Sequence, residues 1–185
     1  MTTRDPRDEL VDHLPALRAF AMSLCRNSAT ADDMVQDAIE KAWVNFDKFK
    51  EGTNMRAWLF TILRNTYYSS RRKMKREVAD PEGVFVGQMS EKPAHDGHLQ
   101  LEEFRRAFVT LSDEQREALT LVGAGGFSYE EAAEMCGCAV GTIKSRANRA
   151  RKRLAELLHL DEDEPLEMTD AQTVAVVSQR AIGSM

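Results

Sequence analysis

The sequence predicts an all-α protein built as two small helical domains joined by a flexible linker. Apolar residues recur at spacings of three and four through most of the chain, the signature of amphipathic helices. No segment sustains the alternating pattern of a strand. Between two groups of helices, Glu77 to Gly97 carries Pro81, Gly83, Gly87, Pro93 and Gly97 without a lasting period, which reads as a linker. A chain of 185 residues, 43% hydrophobic and 30% charged, is long enough for two such domains to bury cores of their own. The boundaries that follow are 7–76 for the first domain, 77–98 for the linker, 99–159 for the second domain and 160–185 for an acidic tail.

In chain order, Asp5 and Pro6 offer a cap followed by proline at the first helical position, and Leu10, Leu14, Leu17, Ala21 and Leu24 continue the helical spacing. Pro15 interrupts that pattern and predicts a kink or two abutting helices. In "TADDMVQDAIEKAWVNF", Met34, Val35, Ala38, Ile39, Ala42, Trp43 and Phe46 form one apolar stripe, while Asp33, Gln36, Asp37, Glu40 and Lys41 face elsewhere. After the polar loop "DKFKEGT", Asn54 can cap a third helix whose Met55, Trp58, Leu59, Ile62 and Leu63 complete a three-helix core. Its C-terminal end, "RNTYYSSRRKMKR", is basic and aromatic. Helices resume near Leu99. Ser112 with Gln115, and Ser128 with Glu131, each make a capping box, and "GAGGF" between them is a helix-breaking turn. After Gly137 a last helix starts near Val140, with Val140, Ile143, Ala147, Ala150, Leu154 and Leu157 on its buried face.

Charge is segregated. The net charge is −5, yet cations gather in Arg64 to Arg76 and in Lys144 to Arg153, and acids dominate Asp161 to Asp170. Such asymmetry predicts an anionic partner such as nucleic acid. No apolar run approaches the roughly 20 residues of a membrane span, and "MTTRDPRDEL" has acids where a signal peptide has its apolar segment. A cytoplasmic protein without membrane contact is expected. Three cysteines, Cys25, Cys136 and Cys138, suit a reducing compartment and free thiols. His95 and His98 lack a second ligand pair, so no metal site is expected. "GAGG" has neither a preceding strand nor a following Lys-Ser or Lys-Thr, so it is not a phosphate loop. Nothing resembles a nucleophile elbow or paired catalytic carboxylates; neither enzyme nor cofactor chemistry is predicted.

A short helix, a glycine-containing turn and a second helix with basic residues outside is the sequence form of a helix-turn-helix. In that motif the second helix enters the DNA major groove, its first turns touching base edges while neighbouring cations hold phosphates. Thr142, Lys144, Ser145, Arg146 and Arg149 occupy the leading turns off the apolar stripe. The alternative is a solvated basic face; against it, acids are absent from Val140 to Arg153, where an ordinary surface helix mixes signs. In the other basic stretch, Arg64, Tyr67, Tyr68, Arg71, Arg72, Lys73, Lys75 and Arg76 interleave rings with cations, a combination that stacks unpaired bases and tracks a backbone. The alternative there is that Tyr67 or Tyr68 closes the core.

"ADDMVQDAIEKAW", "GTNMRAWLFTILRN" and "FSYEEAAEMCGCAVGTIKSRANRARKRL" together resemble the extracytoplasmic-function sigma factors of bacterial RNA polymerase, over their second and fourth conserved regions, from about Leu10 to Leu158. "GTNMRAWLFTILRN" and "LVGAGGFSYEEAAE" look most like the EcfG-type general stress response branch. The resemblance implies that Asp33, Gln36, Asp37 and Glu40 dock on the beta-prime clamp helices of core polymerase, with Met34, Val35 and Trp43 shared between core and interface. It implies that the loop Asp47 to Thr53 and the helix from Asn54 take the minus-ten element as single strand with an extruded base, through Asn54, Arg56, Arg64, Asn65, Tyr67, Tyr68, Arg71 and Arg72. It implies that Thr142, Lys144, Ser145, Arg146, Arg149, Arg151, Lys152 and Arg153 read the minus-thirty-five element as duplex, near the beta flap. The partners it implies are promoter DNA and a small anti-sigma factor of NepR type, countered by a PhyR-type response regulator. Two other readings stay open: a sigma mimic that sequesters the anti-sigma factor, and a helix-turn-helix repressor. Two positions depart from the family pattern. Ala139 stands where relatives often carry Ser or Pro, and Cys136 and Cys138 replace aliphatic residues.

Overall fold

The computed structural model describes residues 6–77 and 96–159. Asp5, most of the predicted linker, His95 and the acidic tail lie outside the described residues. The chain divides into two compact units, Met1–Ser90 and Glu91–Met185. The described residues form helices and turns without strands.

In the first unit, a 3-10 turn Pro6–Asp8 leads into α1, Glu9–Asp12, and α2, Leu14–Cys25. The break falls at His13, so Pro15 lies in the first turn of α2, where its missing N–H was never needed. Of the two outcomes Pro15 allowed, the abutting helices are the one observed. Helix α3, Ser28–Val44, starts two residues ahead of the predicted segment because Asn27 caps it, accepting from the Thr30 N–H at 3.0 Å. After a 3-10 turn, Phe46–Lys48, helix α4 runs Met55–Glu77, and Asn54 caps it by accepting from the Ala57 N–H at 3.1 Å. Helices α2, α3 and α4 pack together and bury Leu17, Phe20, Leu24, Met34, Ala38, Leu59, Phe60 and Leu63. The rings of Phe20 and Phe60 stack at 4.9 Å.

In the predicted apolar set of α3 and α4, Ile39, Phe46, Trp58 and Ile62 are only partly buried and Trp43 is exposed. Trp43 is 55% exposed, because residues 31, 34, 38 and 42 define the buried line of α3 and position 43 lies off it. Trp58 is partly exposed and packs against Phe46 and Phe49 at the edge of the core.

The second unit begins with α5, Asp96–Val109, and α6, Asp113–Leu119. Both capping boxes are present. Ser112 accepts from the Gln115 N–H at 3.2 Å and its own N–H donates to Gln115 Oε1 at 3.1 Å. Ser128 and Glu131 do the same at 3.0 and 2.9 Å, opening α7, Tyr129–Cys136. Between them the helix widens into a π-turn, Thr120–Ala124, before "GGF" ends it. Gly125 is required there: a Cβ would stand 2.5 Å from the Leu121 carbonyl oxygen. Gly137, at φ +62, closes α7, and α8 follows as Val140–Leu158. Its Ala150 and Leu154 pack with Ala107, Leu111 and Leu119, and Phe104 and Phe108 close over them.

One buried cation organises this unit. The Arg116 side chain, 1% exposed, donates to the carbonyls of Val109 at 3.1 Å and Leu111 at 3.0 Å and pairs with Asp113. It thereby ties the end of α5 to the start of α6. Arg116→Ala removes the donor for both carbonyls and leaves Asp113 without this partner, so it should destabilise the unit by about 3–5 kcal/mol. Urea unfolding followed by circular dichroism checks this; a loss under about 1 kcal/mol would mean the arginine holds nothing together.

Candidate nucleic-acid interface

Burial of one side of α8 decides what its other side presents. Ile143, Ala147, Ala150 and Leu154 have no exposed surface, and this stripe packs on α5, α6 and α7. Lys144, Arg149, Lys152 and Arg153 are exposed, while Thr142, Ser145, Arg146 and Arg151 are partly so. All eight residues expected to read duplex DNA therefore stand on one helix, off its buried stripe. Lys144 Nζ lies 5.5 Å from the Tyr129 ring centre, and Arg151 donates to the Tyr129 hydroxyl at 3.3 Å. Arg149, Lys152 and Arg153 line an open cavity of about 340 Å³ with Thr110, Gln115 and Glu156. Arg153 pairs with Glu156 at 3.3 Å, an exposed pair of little net strength.

In the first unit, Asp33, Gln36, Asp37 and Glu40 are exposed at helical spacing and form one face of α3. Gln36 Nε2 donates to Glu40 Oε1 at 3.1 Å. The spacing continues through Trp43 and Val44, 55% and 77% exposed, so the acidic face ends in an apolar patch. The Arg7 guanidinium lies 5.2 Å from the Trp43 ring and 5.3 Å from that of Phe46. At the other end of α3, hydrogen bonds from Arg18 hold the Asp32 carboxyl below the usual carboxylate range, and raise Arg18 in turn. His13, between α1 and α2, is lowered by burial and then by the charge of Arg56.

The residues expected to take single-stranded DNA divide. Asn65 lines a groove of about 390 Å³ with Lys41, Asn45, Lys48, Trp58 and Ile62. Lys41 Nζ donates to Thr66 Oγ1 at 3.0 Å and Lys48 Nζ to Asn45 Oδ1, so both cations are held at its rim. The edge of Trp58 that Phe46 and Phe49 leave uncovered supplies an apolar wall. Asn54 spends its side-chain oxygen on the α4 cap. Arg56, Arg64 and Arg71 lie outside the groove, over the rings of Phe60, Tyr68 and Tyr67 respectively. Arg72 donates to Ser69 at 3.1 Å. Tyr67 is a correction: at 3% exposure its ring closes the core, and its hydroxyl accepts from Arg71, so it has no face for a base. Tyr68 stays partly exposed. Of the other groove residues, Lys48 and Trp58 fall within the loop and helix expected to take the minus-ten strand, though neither stands among the residues singled out there, and Lys41 and Asn45 lie outside both; the groove forms where the turn after α3 folds back on α4.

No helix among the described residues is long and apolar enough to cross a membrane. The three cysteines form no disulfide.

The chain matches the family Sigma-70 region 2 over residues 10–77 and Sigma-70, region 4 over residues 101–154. It is 54% identical over 155 residues to the ECF RNA polymerase sigma factor EcfG of Rhodopseudomonas palustris, spanning 84% of this chain and 86% of that protein. It is 35% identical over 150 residues to the ECF RNA polymerase sigma factor SigM of Mycobacterium tuberculosis, spanning 79% of this chain and 73% of that one. Among solved structures it resembles the sigma factor RpoE in complex with the anti-sigma factor NepR from Bartonella quintana. That match has a TM-score of 0.77 at 55% identity and covers 86% of this chain and 99% of that one. The PhyRSL–NepR complex from Sphingomonas sp. Fr1 matches at a TM-score of 0.63 and 20% identity, which is likeness of fold alone.

Helix α8 starts without a side-chain cap. Ala139 holds the N-cap position at φ −69 and ψ 146, close to Ser112 at −64 and 158 and Ser128 at −64 and 162, both of which cap. A serine fits that backbone, and its hydroxyl would share the Thr142 N–H, which already donates to the Ala139 carbonyl at 2.9 Å. Ala139→Ser should raise stability by about 1 kcal/mol in chemical denaturation, and no gain would mean that packing of the turn already fixes the helix start.

Proposed function

The chain belongs to the extracytoplasmic-function sigma factors of the sigma-70 family, and from that premise we propose how its two units share the recognition of a promoter. A sigma factor is not an enzyme; it directs core RNA polymerase to promoters and transcription starts there. In this chain, residues 99–159 bind the minus-thirty-five element as duplex, and residues 7–76 bind core polymerase and the minus-ten element. The linker 77–98 spans between them. The carrying observation is the basic outward face of α8 behind two capped helices.

Arg149 is long enough to bridge guanine O6 and N7, and Lys144, Ser145 and Arg146 in the leading turns reach neighbouring base edges. Arg151, Lys152 and Arg153, farther along, meet phosphates. Asp33, Gln36, Asp37 and Glu40 dock on the beta-prime clamp helices, and Trp43 with Val44 supplies the apolar anchor that a charged face lacks. The groove at Lys41, Lys48, Trp58 and Asn65 takes an extruded base of the minus-ten strand. Unstacking costs a few kcal/mol, which contacts in the groove offset. Arg64, Tyr68, Arg71 and Arg72 lie off that groove and track the backbone on either side of it. Two contacts on one chain raise each other's effective concentration, so neither has to be tight alone.

The relative from Bartonella quintana is held by the anti-sigma factor NepR. By that likeness, this chain is kept inactive by a small NepR-type protein that a PhyR-type regulator draws away, and it serves the general stress response in the cytoplasm. A mimic that only sequesters an anti-sigma factor has no use for the α8 cations, and a lone repressor has none for the α3 face.

Arg149→Ala should weaken binding of the holoenzyme to a selected promoter by about 1–3 kcal/mol and relax base preference at one position. Neutralising Lys152 and Arg153 together should instead weaken all sequences alike and flatten the slope of log K against log salt by up to about 1.8. An unchanged slope would remove them from the phosphate contacts. In the other unit, Trp43→Ala should leave thermal stability within about 1 kcal/mol, since the ring is mostly exposed, yet cut affinity for core polymerase by about 2 kcal/mol. Equal affinity for core polymerase would place the interface elsewhere.

A further inference from the structure

Tyr129 opens α7 immediately after the Ser128 cap, so the capping box with Glu131 fixes its backbone. Its side chain meets one flank of α8. Lys144 Nζ lies 5.5 Å from the ring centre, within the range of a cation–π contact. Arg151 Nη1 donates to the hydroxyl at 3.3 Å, and to Asn148 Oδ1 at 3.4 Å. Positions 144 and 151 are two helical turns apart and share an edge of the helix. One aromatic side chain from the neighbouring helix therefore holds two α8 cations, one by its face and one by its oxygen.

Long cationic side chains lose rotamer freedom when DNA orders them, and ordering them beforehand lowers that cost at the moment of binding. Tyrosine is suited to such ordering because it is rigid, has two torsions, and joins an apolar ring to a polar tip. We propose that Tyr129 is a positioning residue for promoter reading, which orders Lys144 toward base edges and Arg151 toward phosphate before DNA arrives. The inference rests on the reading of α8 as the duplex-reading helix. It adds a residue outside that helix, on which the helix's own cations depend. Arg149, by contrast, lies toward Thr110 and Gln115 and is independent of Tyr129.

The two contacts separate chemically, since phenylalanine keeps the ring and removes the hydroxyl. The test uses the full chain on core polymerase, with a duplex promoter fragment that the unsubstituted holoenzyme selects from a random-sequence pool, and measures affinity across salt. Tyr129→Phe should lose about 2-fold and Tyr129→Leu about 5-fold, the size of exposed cation–π and neutral hydrogen-bond contributions. The deciding readout is coupling. Lys144→Ala should cost less in the Tyr129→Leu background than alone, and Arg151→Ala less in the Tyr129→Phe background than alone, whereas Arg149→Ala should cost the same in both. Because Tyr129→Phe keeps the ring in place, the Arg151 cycle stands even if leucine disturbs the packing of α7. Additive losses in both cycles, or wild-type affinity in Tyr129→Leu, would overturn the positioning role. If Lys144→Ala and Arg149→Ala are both silent in the unsubstituted chain, the reading of α8 itself falls, and the positioning role with it.

Discussion

Burial of Ile143, Ala147, Ala150 and Leu154 is the constraint on which the second unit depends. Alanine at two of these four positions lets α6 and α7 approach α8 closely, and leucine and isoleucine fill the space at either end. Once that stripe is committed to the core, the remaining arc of the helix carries its cations outward with no freedom to turn them in. Those cations repel one another in the free protein. Tyr129, Asn148 and Glu156 partner Lys144, Arg151 and Arg153 without neutralising the face as a whole. A surface so charged is stable enough to fold and remains electrostatically receptive to a polyanion.

The same economy governs the first unit, where α3 works on three sides at once. Ala31, Met34, Ala38 and Ala42 pack inward; Asp33, Gln36, Asp37 and Glu40 face solvent with Trp43 and Val44 at their end; and Lys41 turns toward Thr66 and the groove. The alanines matter again, because small residues on the buried line let α2 and α4 pack closely against α3, while Phe20 and Phe60 stack directly between α2 and α4. Surfaces of opposite sign are thus separated by less than one helix circumference. The anionic face suits a protein partner and the cationic rim suits DNA.

Much of this was legible in the sequence because it is written in local rules. Both capping boxes, the uncapped Ala139, the helix break just ahead of Pro15 and the buried stripe of α8 follow from spacing and side-chain chemistry within a turn or two. What escaped depends on contacts distant along the chain or on exact angular position. Tyr67 and Tyr68 are neighbours with identical side chains, and only the packing of α4 puts one in the core and leaves the other partly exposed. Trp43 misses the buried line of α3 by one position. Arg116 looks like any surface arginine in "DEQREALTLV" until the end of α5 returns its carbonyls to it. The groove beside Trp58 likewise needs the fold, since Lys41, Lys48 and Asn65 share no sequence motif.

On the proposed reading, one chain engages DNA at two places through core polymerase. The most direct measurement adds the purified chain to core polymerase on fragmented genomic DNA and maps the 5′ ends of the transcripts that appear. New 5′ ends should cluster downstream of a two-part sequence element with constant spacing, and should vanish when α8 loses Lys144 and Arg149. No added initiation, or initiation indifferent to those two residues, would contradict promoter reading by this chain.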